Sequence, residues 1–425
     1  MNCISRSTLL ICLILCNACD APASETLSAA DSLTYNVHYE IHPDPSDGSV
    51  EVQMSVEQSH GELREISFSI GNIAISDIEA EGELDVGDDR ITWLPGRTGG
   101  DLRWRIAISH RRGDGGYDAW LNNGWGIFRA EDIIPRARTR ALKNAYSQTT
   151  IAFELPEHWS VVSEYSTRDS RNAVINPHTR FDQPRGWIAM GTLGIRRETI
   201  ADTRVTVAAP EGQMARRMDM LALLNWILPE LKLVLPDSIP RLTIVSASDP
   251  MWRGGLSAPE SIYIHSSRPL ISENATSTLA HEVFHVALGK TAEPGFDWIV
   301  EGLAEYYSLE LLQRGGAITA RRYDQALEKQ SHWSGNAGKL CARRSSGATT
   351  ALAVVIFRSL DKELRKKSSG RVNLDDVVAG VAKTDSRVSL RLLDDLVTDL
   401  IQDTAAALHS DALKGCRQLQ RDSGS

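Results

Sequence analysis

From about Leu33 to Ala209, apolar and polar residues alternate in short runs. Leu33-Thr34-Tyr35-Asn36-Val37-His38-Tyr39-Glu40-Ile41 and Val50-Glu51-Val52-Gln53-Met54-Ser55-Val56 are two examples. A period of two places every second side chain on one face of a strand, so each run predicts a strand with one buried face. Asp47-Gly48, Gly87-Asp88 and Arg112-Gly113-Asp114-Gly115-Gly116 interrupt the alternation as turns. Such closely spaced turns predict antiparallel sheets in a β-sandwich-like domain. Trp93, Trp104, Trp125, Trp159 and Trp187 fall in this half and are assigned to its core. The Tyr117-to-Ile134 stretch mixes aromatic residues and glycine without a period, and is expected to form a loop reaching toward the functional site.

From Glu211 the apolar spacing becomes helical. Met218 to Leu235 predicts an apolar helix interrupted at Pro229. Arg241–Ser246 and Ser261–Ile264 read as strands, and helices are expected at about 297–313, 317–332, 347–367, 375–383 and 388–409. The fold class is α+β: an antiparallel, sandwich-like domain over 33–209, then a small sheet with helices over 210–425. A mature chain of about 400 residues is long enough for two cores. The formal charge of −9 argues against nucleic acid or an anionic membrane surface as a partner.

Residues 1–19 read as a targeting segment: Arg6, then an apolar run from Thr8 to Leu15 that is too short to span a bilayer. The run ends in Cys16-Asn17-Ala18-Cys19-Asp20. A small residue before a cysteine suggests a lipoprotein signal with Cys19 as the lipid anchor; ordinary cleavage near Ala18 or Ala23 is the alternative. Either way the chain is expected to be exported, periplasmic or membrane-anchored, with 20–32 as a flexible linker. Cys341 and Cys416 then remain in the mature fold. In an oxidising compartment they are expected to form one disulfide; two buried thiols are the alternative.

The chemistry concentrates in His281-Glu282-Val283-Phe284-His285 and, sixteen residues on, Glu301-Gly302-Leu303-Ala304-Glu305-Tyr306-Tyr307. Two imidazoles four apart on a helix point the same way and can bind one metal ion. Glu282 is placed as general base toward a metal-activated water. Around it Thr278-Leu279-Ala280 and Val286-Ala287-Leu288 are uncharged, and a lone carboxylate on so apolar a helix is costly without a cation beside it. Glu301 and Glu305 share a helix face and compete as third ligand. Glu301 is favoured, with Glu305 receiving the other ring N–H of a ligand histidine. Ser272 or Asn274 is the expected cap of the first helix. One Zn²⁺ per chain is the implied cofactor.

HEVFH followed by WIVEGLAEYY resembles the gluzincin metallopeptidases. LAEYYSLELLQRGGAIT (303–319), LDKELR (360–365) and SGRVNLDDV (369–377) are similar to the glycyl aminopeptidase-like family, which is related to the aminopeptidase N family. The resemblance covers roughly residues 240–385. It implies a β-rich domain followed by a zincin-type catalytic domain, peptide substrates, and zinc held by His281, His285 and Glu301.

Two departures stand out. In the glycine-rich strand Arg253-Gly254-Gly255-Leu256-Ser257-Ala258-Pro259-Glu260, Ser257 occupies the position of the amine-holding acid, and Glu260 comes three residues late. Thr349, Thr350 and Ala351 stand where the resemblance implies an oxyanion-stabilising tyrosine; Tyr306, Tyr307, Tyr323 and His332 are the candidate replacements. Loss of one such donor costs about 3–4 kcal/mol of barrier in a well-studied hydrolase. The reading is thus an exported zinc peptidase taking an extended peptide along Gly254, Gly255 and Leu256 up to Ile264, with amino- and endopeptidase both open and the missing amine-holding acid pointing away from a strict aminopeptidase. Two rivals are a catalytically weak zinc-containing peptide-binding surface protein and a zinc amidase acting on non-protein substrates.

Overall fold

The computed structural model describes residues 33–71, 73–165, 172–176 and 179–422. The targeting segment, Cys19 and the linker lie outside the described residues.

The alternating runs form strands Leu33–Asp44 and Ser49–Glu57, which pair antiparallel with Val37 opposite Val56 and Tyr39 opposite Met54. Those four side chains are buried while His38 and Ser55 are not, as a period of two requires. The pair belongs to a six-stranded sheet in which Leu33–Asp44 also runs parallel to Ala145–Phe153. A four-stranded and a five-stranded sheet complete this half, and its core contains Trp93 and Trp104. Trp159 only packs at that core's margin, and Trp125 and Trp187 belong to a different cluster.

The C-terminal half is organised by a five-stranded sheet. Its order is Leu193–Ile200, Thr203–Pro210, Arg241–Ala247, Ser261–His265 and Gly255–Ala258. Leu193–Pro210, counted by pattern with the first half, therefore hydrogen-bonds into the sheet of the second. Alternation predicts a strand but carries no information about its partner. The edge next to the helices is Gly255–Ala258; Ser261–His265 is an interior strand, paired on both sides.

The helix Arg217–Val234 continues through Pro229 instead of breaking there. Leu224, Ile227, Leu228 and Leu231 are fully buried on both sides of the proline, and that burial outweighs the lost backbone hydrogen bond. The last predicted helix ends early, at Ile401, because Gln402 adopts a left-handed conformation (φ 52°). Cys341 and Cys416 are disulfide-bonded across a separation of 75 residues, with Cα atoms 5.4 Å apart.

Between the halves lies a third cluster. Trp125, Ile127, Trp187 and Ala189 pack on Val245, Ala247, Met251 and Tyr263, with the Trp187 and Tyr263 rings 5.3 Å apart. The Trp187 backbone N–H donates to Ser261 Oγ (2.8 Å), and its indole N–H donates to the carbonyl of Leu256 (3.0 Å). Tyr117 to Ile134, expected as a loop, instead forms the strands Tyr117–Leu121 and Trp125–Arg129 and the short helix Ala130–Ile133, because its aromatic and apolar residues pair into the five-stranded sheet of the N-terminal half, and it meets the C-terminal half at its first residue. The Tyr117 N–H donates to the carbonyl of Pro250, and Trp252 N–H donates to the carbonyl of Tyr117.

Candidate functional site

Thr278–Leu288 is helical because Leu279, Ala280, Val283, Phe284 and Leu288 supply one buried face. Its cap is Ser277, whose side chain accepts from Ala280 N–H; Gly289 closes it in a left-handed conformation (φ 60°). Neither Ser272 nor Asn274 caps it. Ser272 Oγ instead accepts from Thr276 N–H within the preceding turn. The helix packs on Asp297–Arg314 with the Phe284 and Tyr307 rings stacked 4.7 Å apart. That stacking sets the two motif-bearing helices in register.

The result is a convergence of donor atoms. One atom from each of His281, His285 and Glu301 falls within 4.8 Å of the others. His281 Nε2 and His285 Nε2 are 3.1 Å apart, and Glu301 places Oε2 3.4 Å from the first and Oε1 3.5 Å from the second. Glu305 Oε2 lies 3.2 Å from His281 Nδ1, as the spacing implied. This hydrogen bond fixes Nδ1 as the protonated nitrogen of the neutral ring, so that Nε2 is the atom available to a metal ion. Gln330 had no role in the sequence reading. Its Nε2 donates to Glu305 Oε1 (2.9 Å) and extends the chain Gln330–Glu305–His281. Nothing in the sequence marks this uncharged residue on a separate helix.

Electrostatics at the cluster favour positive charge. Burial disfavours a charged His281, yet the hydrogen bonds its ring N–H groups donate to Glu301 and Glu305 outweigh it and raise its pKa to about 10. Burial likewise disfavours a charged Glu301, but His281 and His285 hold its carboxyl well below the usual carboxylate range. Two ring nitrogens and one carboxylate, aimed at a common point and backed by a second carboxylate, fit a borderline-soft divalent cation such as zinc.

Glu282 is buried on the same helix. The edge strand presses on it: a Cβ on Gly255 would come within 3.0 Å of Glu282 Cγ and 2.5 Å of Thr278 Cγ2, so only glycine lets the strand approach. Gly302, next to Glu301, plays a similar part. A Cβ there would lie 2.4 Å from Ala353 Cβ on the helix Ala348–Lys367.

The cluster opens into a cavity of about 480 Å³. Gly254, Gly255, His281, Glu282, Glu301 and Glu305 line it, but Leu256 does not. Leu256 packs instead against the junction cluster, and the Trp187 indole takes up its carbonyl. Ser257 is exposed away from the lining, and Glu260 is paired with Arg241 at 2.9 Å. None of the four candidate replacement residues lines the cavity. Tyr307 donates to Asp375 Oδ1 (2.7 Å), Tyr323 bonds Glu310, Tyr306 is buried beside Tyr323, and His332 is exposed. Thr350, hydrogen-bonded to Ser345 at 3.0 Å, and Ser346 bring hydroxyls to that wall instead.

No family model and no curated protein sequence matches this chain. Its fold is similar to that of solved structures. One is an aminopeptidase N family protein from Idiomarina loihiensis, 16% identical, with a TM-score of 0.62 over 81% of this chain and 70% of that one. Another is Legionella pneumophila aminopeptidase A, solved in complex with aspartic acid: 12% identical, TM-score 0.54, over 90% of this chain and 50% of that one. At those identities the likeness concerns the fold alone: α+β and aminopeptidase-like, with several antiparallel sheets and a helical portion.

Proposed function

We propose that this chain is an exported zinc-dependent peptidase that hydrolyses peptide bonds with Glu282 as general base. The observation that carries the reading is the convergence of His281, His285 and Glu301 within 4.8 Å, beside buried Glu282 on the wall of a cleft. The two structural neighbours, both described as aminopeptidases, support peptides as the substrate class. His281, His285 and Glu301 would hold one zinc ion per chain. When bound, zinc supplies Lewis acidity that polarises a carbonyl and acidifies a water.

The chain's own residues do the rest. Glu282 accepts the proton of the attacking water and passes it to the leaving amine. Glu305 fixes the His281 tautomer and is itself held by Gln330. The edge strand at Gly255 offers main-chain groups to an extended peptide. Thr350 and Ser346 also line the cavity. Export, and a lipid anchor at Cys19, are part of the proposal; the Cys341–Cys416 disulfide is consistent with an oxidising compartment.

One observation favours a second reading. No phenolic hydroxyl lines the cleft among the described residues, which suits a weakly catalytic peptide-binding protein. The test uses the mature chain from Asp20 and a mixed peptide library. Wild type, chelator-treated and Glu282→Gln samples run side by side, and mass spectrometry reads the cut positions. Cleavage by untreated wild type alone supports the peptidase, and the cut positions separate exo- from endopeptidase. An intact library in all three, with zinc bound, rejects general peptidase activity and leaves the binding role.

A further inference from the structure

The charged groups lining the cleft are not equally committed. Glu301 faces His281 and His285, and Glu305 faces His281 and Gln330. Glu282 lies against Gly255 in the position of the general base. No lining carboxylate is left to hold a substrate's free amine. Arg253 is also committed, bonded to Asp249 through both Nε (2.9 Å) and Nη2 (2.5 Å).

Arg268 is different. It lies in the turn after the strand Ser261–His265, with its N–H donating to the carbonyl of His265 and its own carbonyl accepting from Arg216 Nη2 (3.1 Å). Its Nε donates to Thr278 Oγ1 (3.2 Å), which aims the guanidinium along the cleft wall. Its two terminal NH₂ groups have no acceptor, and it has no carboxylate partner, among the described residues. Thr278 is the first residue of the helix that carries Glu282, so the positive end of that helix lies on the same side.

Resting on the peptidase reading, we propose that Arg268 directs the site to peptides bearing a carboxylate close to the bond being cut. Thr278 and Glu282 are one helical turn apart, about 6 Å along the axis. An extended peptide advances about 3.3–3.6 Å per residue, so the recognised carboxylate lies one or two residues from the scissile bond. A planar guanidinium whose two terminal NH₂ groups form a free donor edge matches a carboxylate in shape as well as charge. An aspartate or glutamate side chain and a free C-terminus both supply that chemistry. Arg268 acts on substrate position and specificity, and takes no part in proton transfer.

The test uses zinc-loaded full-length mature chain with matched pentapeptides. They contain Asp or Asn beside the cleaved bond, each with a free or an amidated C-terminus. KM and kcat are measured for wild type, Arg268→Gln and Arg268→Lys. Dissociation constants are measured calorimetrically in the Glu282→Gln background, with and without Arg268→Gln, where no turnover is required. A charge-assisted pair predicts a carboxylate preference of about 10- to 100-fold, expressed in KM and Kd rather than kcat. Arg268→Gln is expected to abolish the preference and Arg268→Lys to restore part of it. A preference tracking Asp over Asn identifies the side chain as the source; one tracking free over amidated ends identifies the C-terminus. Equal affinity for all four peptides, or a preference that survives Arg268→Gln, overturns the proposal. If no peptide is cut by any protein, the peptidase reading fails, while the binding ratios still decide the role of Arg268.

Discussion

The wall of the cleft that carries His281, Glu282, His285 and Glu301 is held by helices of the C-terminal half packing on one another, through contacts such as Phe284 on Tyr307. The strand wall, Trp252 to Gly255, is held largely from outside. The Trp252 indole donates to Asp114 Oδ2 (2.7 Å), the Arg112 guanidinium lies 4.2 Å from the Trp252 ring, and Trp187 takes the carbonyl of Leu256. The helical wall places ionisable groups from two nearby motifs on a rigid frame. The strand wall exposes backbone and depends on a loop that begins about 140 residues earlier in the chain. The converging ionisable groups are therefore set by the packing of one half, and the strand beside them is set by the junction of both. Perturbing the first should change metal content; perturbing the second should change substrate affinity.

The largest expected effect comes from the helical wall. His285→Ala removes one of three converging donors and should abolish both zinc retention after desalting and cleavage, as read by elemental analysis and turnover. A variant that keeps stoichiometric zinc would sink the ligand assignment. Next is the disulfide that ties the C-terminal segment to this half. Replacing Cys341 and Cys416 with serine should lower unfolding stability by about 4 kcal/mol in the loop-entropy model, measured by denaturant midpoint. Wild-type stability in the double variant would mean that the link does not constrain the unfolded chain.

Behind the strand wall, at the junction, sits Glu164. Burial is the main reason its pKa is pushed up to about 8, and its Oε2 has no hydrogen-bond partner among the described residues. Its folded-state pKa is above its unfolded value, so the native state keeps a proton that the unfolded chain releases. Its contribution to stability is complete below about pH 4.5 and is lost as pH rises to about 8. Glu164→Gln should flatten that decline, making the variant relatively more stable than wild type at pH 8, by a few kcal/mol at most. Parallel stability–pH curves for the two proteins would rule the linkage out.

Glu305→Gln tests the support of the helical wall. It should weaken zinc affinity by about 10- to 100-fold while leaving the fold intact, as measured by chelator competition. The smallest effect is expected at the brace of the strand wall. Asp114→Ala removes one hydrogen bond to Trp252, and should raise KM severalfold with kcat and zinc content little changed. A fall in zinc content there would erase the distinction between the walls.

How much of the site was legible in the chain follows the same division. His281, His285 and Glu282 share one helix, and Glu301 and Glu305 share the next. Side-chain direction along a helix follows from its period, so their convergence was legible without a structure. Gln330, the Ser277 cap and the Trp252–Asp114 contact were not. Gln330 carries no charge pattern, Ser277 is one of several candidate caps in a polar stretch, and Trp252 gains its partner only when two distant loops meet. The substrate strand was legible in part: Gly254 and Gly255 reach the cleft, but Leu256 turns to the junction, because Trp187 and its cluster claim it.

The sequence by itself determined most element types, the helix faces and which titratable side chains share a face, because these depend on periodicity and on residues close along the chain. Pattern placed Leu193–Pro210 with the first half; hydrogen bonding placed it in the sheet of the second. Pattern broke a helix at Pro229; burial of the flanking leucines kept it whole. The tertiary structure also decided which strand forms the open edge, that Arg268 in the cleft has no carboxylate partner among the described residues, and which tyrosines are spent on internal hydrogen bonds. Each of those outcomes depends on which surfaces meet, and that is settled by the packing of the whole chain rather than by any local run of residues.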